Sequence, residues 1–346
     1  MERPKRCVTS MKNTIHNGIY RDSSIVVSAC VSAGKTVCRE LARFPSALMA
    51  AVCYACIRKR GVYDVIVCSH IGDFLFTVGY LQALDQKLKK ERGAAYKRLR
   101  LVADRKFEKL LCFYLGLDCE YLAWKPRSLA AVLAANRSRS GRAFLYKLHS
   151  VSVVEPAAAF TDGVSYAFRD PGLSLRGCIQ YGALGLGPDA DLIRPSLPYG
   201  IRQKPGKRAL LCPFAQVLET VQIKAYMDAL AEWLLNSGYE VYANGAWSGM
   251  SEKIRVVYWE LDRFFHNCFA IELVIGIRSG LLDLAACSSA TVVALYPRGS
   301  SCSQYYDIRR IFPEKKNNYQ YILTDDQDKD CKAIRKMAMP KQERKE

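Results

Sequence analysis

Two short stretches carry residue types that could do chemistry together. The first is Ser69-His70-Ile71-Gly72-Asp73, which follows the apolar run Val62–Cys68. A carboxylate placed just past a strand, at the start of a helix, can take a proton from a hydroxyl as a general base. The same carboxylate can equally serve as an N-cap or first-turn charge that stabilises the helix. The second stretch is Arg278-Ser279-Gly280, between an apolar strand and the short helical segment Leu281–Cys287. A helix N-terminus presents unsatisfied N–H groups and a partial positive charge, and arginine adds a planar fork; both suit an anion such as phosphate. Asp283, one turn on, either contacts a bound hydroxyl or orients Arg278, or else is a capping and packing carboxylate.

Other candidates are weaker on their spacing. Asn244-Gly245 ends the strand Tyr239–Ala243 and either touches a nucleotide or forms an ordinary turn. Asp189-Ala190-Asp191 has the spacing of paired metal-binding carboxylates, but it lies in a Gly/Pro loop with no apolar strand before it, so it reads as a surface turn. Cys53-Tyr54-Ala55-Cys56 lacks a second Cys or His pair at zinc spacing and reads as a helix face. Gly34-Lys35-Thr36 ends like a phosphate loop, yet Ala29 stands where that loop needs its first glycine. No metal or other cofactor is expected.

The elements that must position these residues alternate along the chain. Val62–Cys68 is a continuous apolar strand, the pattern of a parallel sheet covered on both faces. A helix over Phe74–Lys90, a strand over Arg98–Ala103, a helix over Phe107–Leu115 and a short apolar segment Tyr121–Trp124 follow, then a helix over Leu129–Asn136. Residues 137–207 are rich in Gly, Pro, Ser and Arg and read as loops, short helices and a linker. The pattern restarts with a strand over Lys207–Pro213, an amphipathic helix over Thr220–Ser237 and further strand–helix units, ending with Tyr319–Leu323. This predicts an α/β protein: a basic arm and helical extension over 1–60, a first doubly wound domain over 61–205, a second over 206–324, and a charged, fraying helix over 325–346.

Composition sets the outer bounds. The chain has 346 residues, half of them hydrophobic, which is enough for two packed domains. Its formal charge of +18 fits nucleic acid, an anionic membrane surface or phosphorylated substrates. No zinc-finger spacing or RNP-like aromatic run is present, so nucleic acid is not an expected partner. Many of the 14 cysteines (Cys53, Cys56, Cys68, Cys112, Cys212, Cys268 and Cys287) lie inside apolar runs and are expected to be free and buried, as in a reducing cytosol. The N-terminal residues lack the apolar core of a secretion signal. The longest uncharged run, Phe44–Ile57, is too short to span a bilayer, which needs ~20 residues. It reads as a buried helix, or as one lying on a membrane surface with Arg58-Lys59-Arg60 at anionic head groups.

The order of these pieces resembles GT-B glycosyltransferases, and among them the lipopolysaccharide heptosyltransferases and related bacterial cell-surface sugar transferases. The resemblance rests on Val65-Ile-Val-Cys-Ser-His-Ile-Gly-Asp73, on Leu210-Leu-Cys-Pro-Phe-Ala215, and on Val274-Ile-Gly-Ile-Arg-Ser-Gly-Leu-Leu-Asp-Leu-Ala-Ala286 with the strand Ala290–Tyr296 after it. It implies two Rossmann-like domains facing across a cleft, and transfer of a sugar from a nucleoside diphosphate sugar to a cell-surface glycan or glycolipid, with inversion and without metal. It implies Asp73 as the base, with His70 and Gly72 on the acceptor side. Arg278, Ser279, Gly280, Asp283, Asn244, Gly245 and Pro213 fall on the donor and nucleotide side. The chain departs from the family where Arg278 and Asp283 replace an acidic residue and a histidine, which implies a different donor or phosphate contact. The resemblance also implies a cytoplasmic protein, or one peripheral on the inner face of a membrane. Alternatives are a sugar-nucleotide epimerase of the same two-domain shape, or a non-catalytic relative that binds an anionic polymer or membrane.

Overall fold

The computed structural model describes residues 61–67, 70–124, 158–161, 172–198, 206–215, 223–298 and 305–339. The extension over 1–60, with its cysteine pair and Gly-Lys-Thr fragment, and the helix expected over 129–136 lie outside them.

Two wholly parallel sheets organise the chain. The first contains β1 (Val62–Val67), β2 (Arg98–Ala103), β3 (Glu120–Ala123) and β4 (Ala158–Thr161), in the order β3-β2-β1-β4. The second contains β5 (Arg208–Cys212), β6 (Glu240–Asn244), β7 (Arg255–Val257), β8 (Leu273–Ile277), β9 (Thr291–Tyr296) and β10 (Asn318–Ile322), in the order β10-β9-β8-β5-β6-β7. Parallel strands are covered on both faces, which is why β8, Leu-Val-Ile-Gly-Ile, is apolar and buried along its whole length. In each sheet the chain walks outward from a central strand, then returns past it to build the other side. That reversal lies between β1 and β4 in the first sheet and between β5 and β8 in the second.

The helices are α1 (Ile71–Arg92), α2 (Ile223–Asn236), α3 (Leu261–Cys268), α4 (Gly280–Ala286), α5 (Ile308–Ile311) and α6 (Gln327–Ala338). From Gly72 to Leu81, α1 is buried on every side. A helix covered all round is wedged between layers rather than laid on a surface. One hydrophobic core runs through both halves: Phe74 and Leu81 of α1 and Leu101 of β2 join Leu210 of β5, Phe264 of α3 and Val292 of β9. The rings of Phe113 and Phe265 meet across it with centroids 4.8 Å apart. A second core, around Leu211, Met227, Leu230, Ile275 and Ile334, covers the other face of the second sheet.

Several expectations change on contact with the structure. The helix expected over Phe107–Leu115 is a 3-10 helix over Arg105–Phe113, opened by Asp104, whose side chain accepts from the amide of Lys106. The stretch read as loops, short helices and a linker does hold short helices, a helical turn over Leu175–Gly177 and a π-helix over Cys178–Ala183, but it also holds the strand β4. The tail does not fray over 327–338: α6 is packed against the second core through Cys331 and Ile334. Asp330, wholly buried, accepts from the hydroxyls of Tyr226 (3.0 Å), Tyr321 (2.8 Å) and Thr324 (2.7 Å) and from the amide of Thr324 (2.8 Å). Burial works against its charge, but those donors outweigh burial and hold the carboxyl below its ordinary range. The described cysteines are all free; of those in apolar runs Cys212 and Cys268 are buried as expected, whereas Cys287 is half-buried and Cys112 is exposed.

Candidate functional site

The site grows from the ends of two strands. β1 runs toward His70, whose extended backbone (φ −93°, ψ 136°) lies at the N-cap of α1. The helix starts at Ile71, so Asp73 falls in its first turn, beside unsatisfied amides that favour negative charge. It is 2% exposed. In the other half β8 ends at Ile277, and Arg278 and Ser279 turn the chain into α4, with Ser279 at its N-cap. Ligands of open α/β sheets bind beyond the carboxyl ends of strands, where the strand order reverses. Here the two reversal points face each other across a cavity of about 370 Å³. His70, Gly72 and Asp73 line one wall, and Arg278, Ser279, Gly280 and Asp283 line the other.

Two glycines let these walls meet. A β-carbon on Gly72 would stand 2.8 Å from Asp283 Oδ2 and 2.8 Å from a methyl of Leu175. One on Gly280 would stand 2.7 Å from the β-carbon of Ile71 and 3.2 Å from the Gly72 nitrogen. Separations under 3 Å are ones a side chain cannot occupy, so α1 and α4 touch, first turn to first turn, because both residues lack a side chain.

Arg278 turns inward. It is 4% exposed, and its Nη2 donates to Asp283 Oδ1 at 2.7 Å. Its Nε donates to the carbonyl of Tyr306 at 2.8 Å, and its Nη1 donates to the carbonyl of Ser279. The guanidinium also lies 5.6 Å from the centre of the Tyr306 ring. Three of its five N–H groups therefore fix the shape of its own loop. Burial alone would lower its pKa, but Asp283 and the neighbouring tyrosines more than offset that, leaving it above its ordinary value. Asp283 is 1% exposed, and burial pushes its carboxyl upward against the pull of Arg278. Of the readings of Asp283, the geometry supplies the contact that orients Arg278.

Ser279 does not cap α4 with its side chain. Its Oγ is buried and has no hydrogen-bond partner among the described residues, although the residue lines the cavity. A buried hydroxyl left in this way is one that a polar ligand can satisfy. Tyr305 OH is likewise buried without a hydrogen-bond partner among the described residues, and burial, then the nearby charge of Asp73, raises its pKa.

The cavity continues along the second sheet past Phe214, Asn244 and Trp259. Pro213 and Gly245 are not part of its lining. Pro213 directs the chain out of β5 into Phe214, and Gly245, at φ +103°, lies under the Phe214 ring, which would stand 2.9 Å from an added β-carbon. Sequence reasoning missed Lys106, Leu175, Phe214, Trp259 and Tyr306 as lining residues. Phe214 had a signal, since it follows Pro213 in the loop after a strand; the others have none in their local sequence. Among the described residues no group of three or more His, Cys, Asp or Glu is arranged to hold a metal ion, and no helix is long and apolar enough to cross a membrane.

No protein-family model matches this chain, and no curated protein matches it in sequence. Solved structures do match its fold. The ADP-heptose lipopolysaccharide heptosyltransferase II of E. coli aligns at TM-score 0.51 and 14% identity, over 80% of this chain and 98% of its own. A family 9 glycosyl transferase from Veillonella parvula aligns at TM-score 0.53 and 13% identity, over 81% and 97%. The E. coli heptosyltransferase WaaC, solved with ADP, aligns at TM-score 0.50 and 13% identity, over 79% and 97%. The two parallel sheets and their connecting helices are thus the GT-B arrangement that the sequence motifs resemble.

Proposed function

We propose that this protein transfers a sugar from a nucleoside diphosphate sugar to a hydroxyl of a glycan or glycolipid. The observation that carries this reading is the cavity at the meeting of the two strand reversals, with a buried carboxylate on one wall and the Arg278-Ser279-Gly280 turn on the other. Glycosyl transfer needs those two features: a base for the acceptor proton and a cradle for the departing diphosphate. Support also comes from the shared fold, since structures with this arrangement bear the names of heptosyltransferases and one was solved with ADP.

In this reading Asp73 takes the proton from the acceptor hydroxyl as its oxygen attacks the anomeric carbon. The bond from that carbon to the diphosphate breaks, and the electron pair leaves with the diphosphate oxygen. Attack opposite the leaving group inverts the anomeric centre. The amides of Ser279 and Gly280, at the N-terminus of α4, and the Ser279 hydroxyl receive the diphosphate. Arg278 and Asp283 hold that loop in shape, and the two N–H groups of Arg278 not used within the loop add to the cradle. Asn244 and the rings of Phe214 and Trp259 receive the nucleoside, with Pro213 and Gly245 shaping that floor. His70 and Gly72 form the acceptor side. Positive charge from the protein does the work at the diphosphate, so no metal is called on. The formal charge of +18 suits an acceptor presented at an anionic membrane surface from the cytoplasmic side.

The test is release of nucleoside diphosphate from a panel of nucleotide sugars, with and without acceptor glycans and a chelator. Turnover should survive the chelator. Asp73→Asn should lower it by about 10²–10⁴ while donor binding persists. Full activity of that variant would remove Asp73 from the role of base.

A further inference from the structure

A buried hydroxyl without a hydrogen-bond partner lowers the stability of a fold, so each one calls for a reason. Tyr305 carries such a group. The residue is 8% exposed, and its hydroxyl has no hydrogen-bond partner among the described residues. Phenylalanine would fill the same core without that loss. The ring accounts for the packing, and the oxygen needs a separate account.

The surroundings of Tyr305 supply one. Its carbonyl accepts from the amide of Leu175 at 3.0 Å, and a methyl of Leu175 lies 2.8 Å from where a β-carbon on Gly72 would stand, one residue before Asp73. Its ring meets that of Tyr306 edge-on, with centroids 4.4 Å apart, and Tyr306 lines the cavity and binds Arg278 through its carbonyl. The same ring packs in one core with Phe74 and Leu75 of α1 and Leu282 of α4. Tyr305 is thus held where the first turns of the two helices meet, although it is not part of the cavity lining itself. Of the charges around its hydroxyl, that of Asp73 acts on it most, ahead of Tyr306, Cys178 and Asp283. Burial, and after it the Asp73 charge, raise the phenol's pKa, so it keeps its proton and has one to donate. Hydrogen bonds of a catalytic group are often long in the free enzyme and tighten when the substrate binds.

We propose that Tyr305 is the positioning residue for Asp73: with the acceptor in place, its hydroxyl donates to one carboxylate oxygen and leaves the other aimed at the acceptor hydroxyl. The assignment rests on the glycosyl-transfer reading and adds a residue to it. In the step itself the acceptor proton passes to the Asp73 oxygen that faces the cavity, and Tyr305 keeps its own proton. Because Tyr305 precedes α5 in the second half and Asp73 opens α1 in the first, the base is oriented from across the seam. A hydroxyl that the fold leaves unsatisfied is then held ready for the charge that does the chemistry.

The test compares the full chain with Tyr305→Phe, Asp73→Asn and the double variant, following release of nucleoside diphosphate from ADP-, UDP- and GDP-linked sugars supplied with glycan acceptors. For whichever donor turns over, Tyr305→Phe should lower kcat about tenfold and leave the KM for the donor unchanged. In thermal melts it should be as stable as wild type or more so, since the substitution removes an unsatisfied group and keeps the ring. Combined with Asp73→Asn, it should lower kcat by less than about twofold further, because its effect runs through the carboxylate. Wild-type kcat in Tyr305→Phe overturns the assignment alone. So does a lower melting temperature, which would show the hydroxyl spent on the fold, or an undiminished loss in the Asp73→Asn background. Full turnover of Asp73→Asn, or a wild-type protein that turns over none of the donors, overturns the reading of Asp73 as base and the Tyr305 assignment with it.

Discussion

At the scale of single residues, the Arg278–Asp283 pair decides what kind of loop this is. Both side chains are at most 4% exposed, and they meet at 2.7 Å. A buried pair of this kind gains little over an apolar pair of the same shape, yet losing one partner strands a charge in the interior. Asp283→Ala should therefore cost about 3–5 kcal/mol, read as a shift in the denaturant midpoint. A double variant, Arg278→Met with Asp283→Leu, should recover most of that stability. If the single variant melts like wild type, the pair does not hold the loop. The sequence showed both residues and left the role of Asp283 open between a ligand contact, an orienting one and a capping or packing carboxylate. It could not choose, because the pair spans a strand end and a helix, where no periodic spacing announces contact.

At the scale of elements, the informative contact is between the first turns of α1 and α4. Gly280→Ala would place a methyl 2.7 Å from Ile71, forcing the helices apart. Overpacking of this sort costs about 1–3 kcal/mol. We expect a lower melting temperature together with weaker nucleoside diphosphate binding, since the cradle and the Asp73 wall move with those helices. A variant that loses stability alone would separate the packing from the site. The central strands and their helices were legible because fully buried parallel strands leave continuous apolar runs, as in β1 and β8. What escaped was short or polar. β7 has only Arg255-Val-Val257, set among charged residues, and β4 lies in a stretch dense in Gly, Pro and Ser. Asp64 and Arg100, charged residues inside apolar strands, form a two-point pair between β1 and β2, at 2.6 and 2.9 Å, with both residues at most 2% exposed. In α6 a charged stretch read as a fraying helix hides one buried carboxylate, Asp330, that four donors hold in place.

At the scale of the whole molecule, the two candidate motifs are 205 residues apart in sequence, Asp73 to Arg278, and line one cavity in space. Their order along the chain was readable; that they face each other follows only from the packing of α1 between the halves. Architecture was thus easier to read than the site, because strand and helix periodicity is local and the cavity walls are not. The contacts between the halves are apolar and extensive, with Phe113 on Phe265 and α1 on α4 inside one core. A calorimetric scan of the protein should show one transition rather than two, with calorimetric and van't Hoff enthalpies in agreement. Two resolved peaks would mean that each half is stable alone.

That shared core also bears on engineering. A chain built as two sheets invites the exchange of one half for another. Here a graft cut before β5 would set Leu210, Phe264 and Val292 against a foreign surface and would separate Gly280 from the Ile71-Gly72 backbone shaped to receive it. A working chimera has to carry α1 across with the second half. In this protein the unit of inheritance is the seam, and each half is shaped first by its partner.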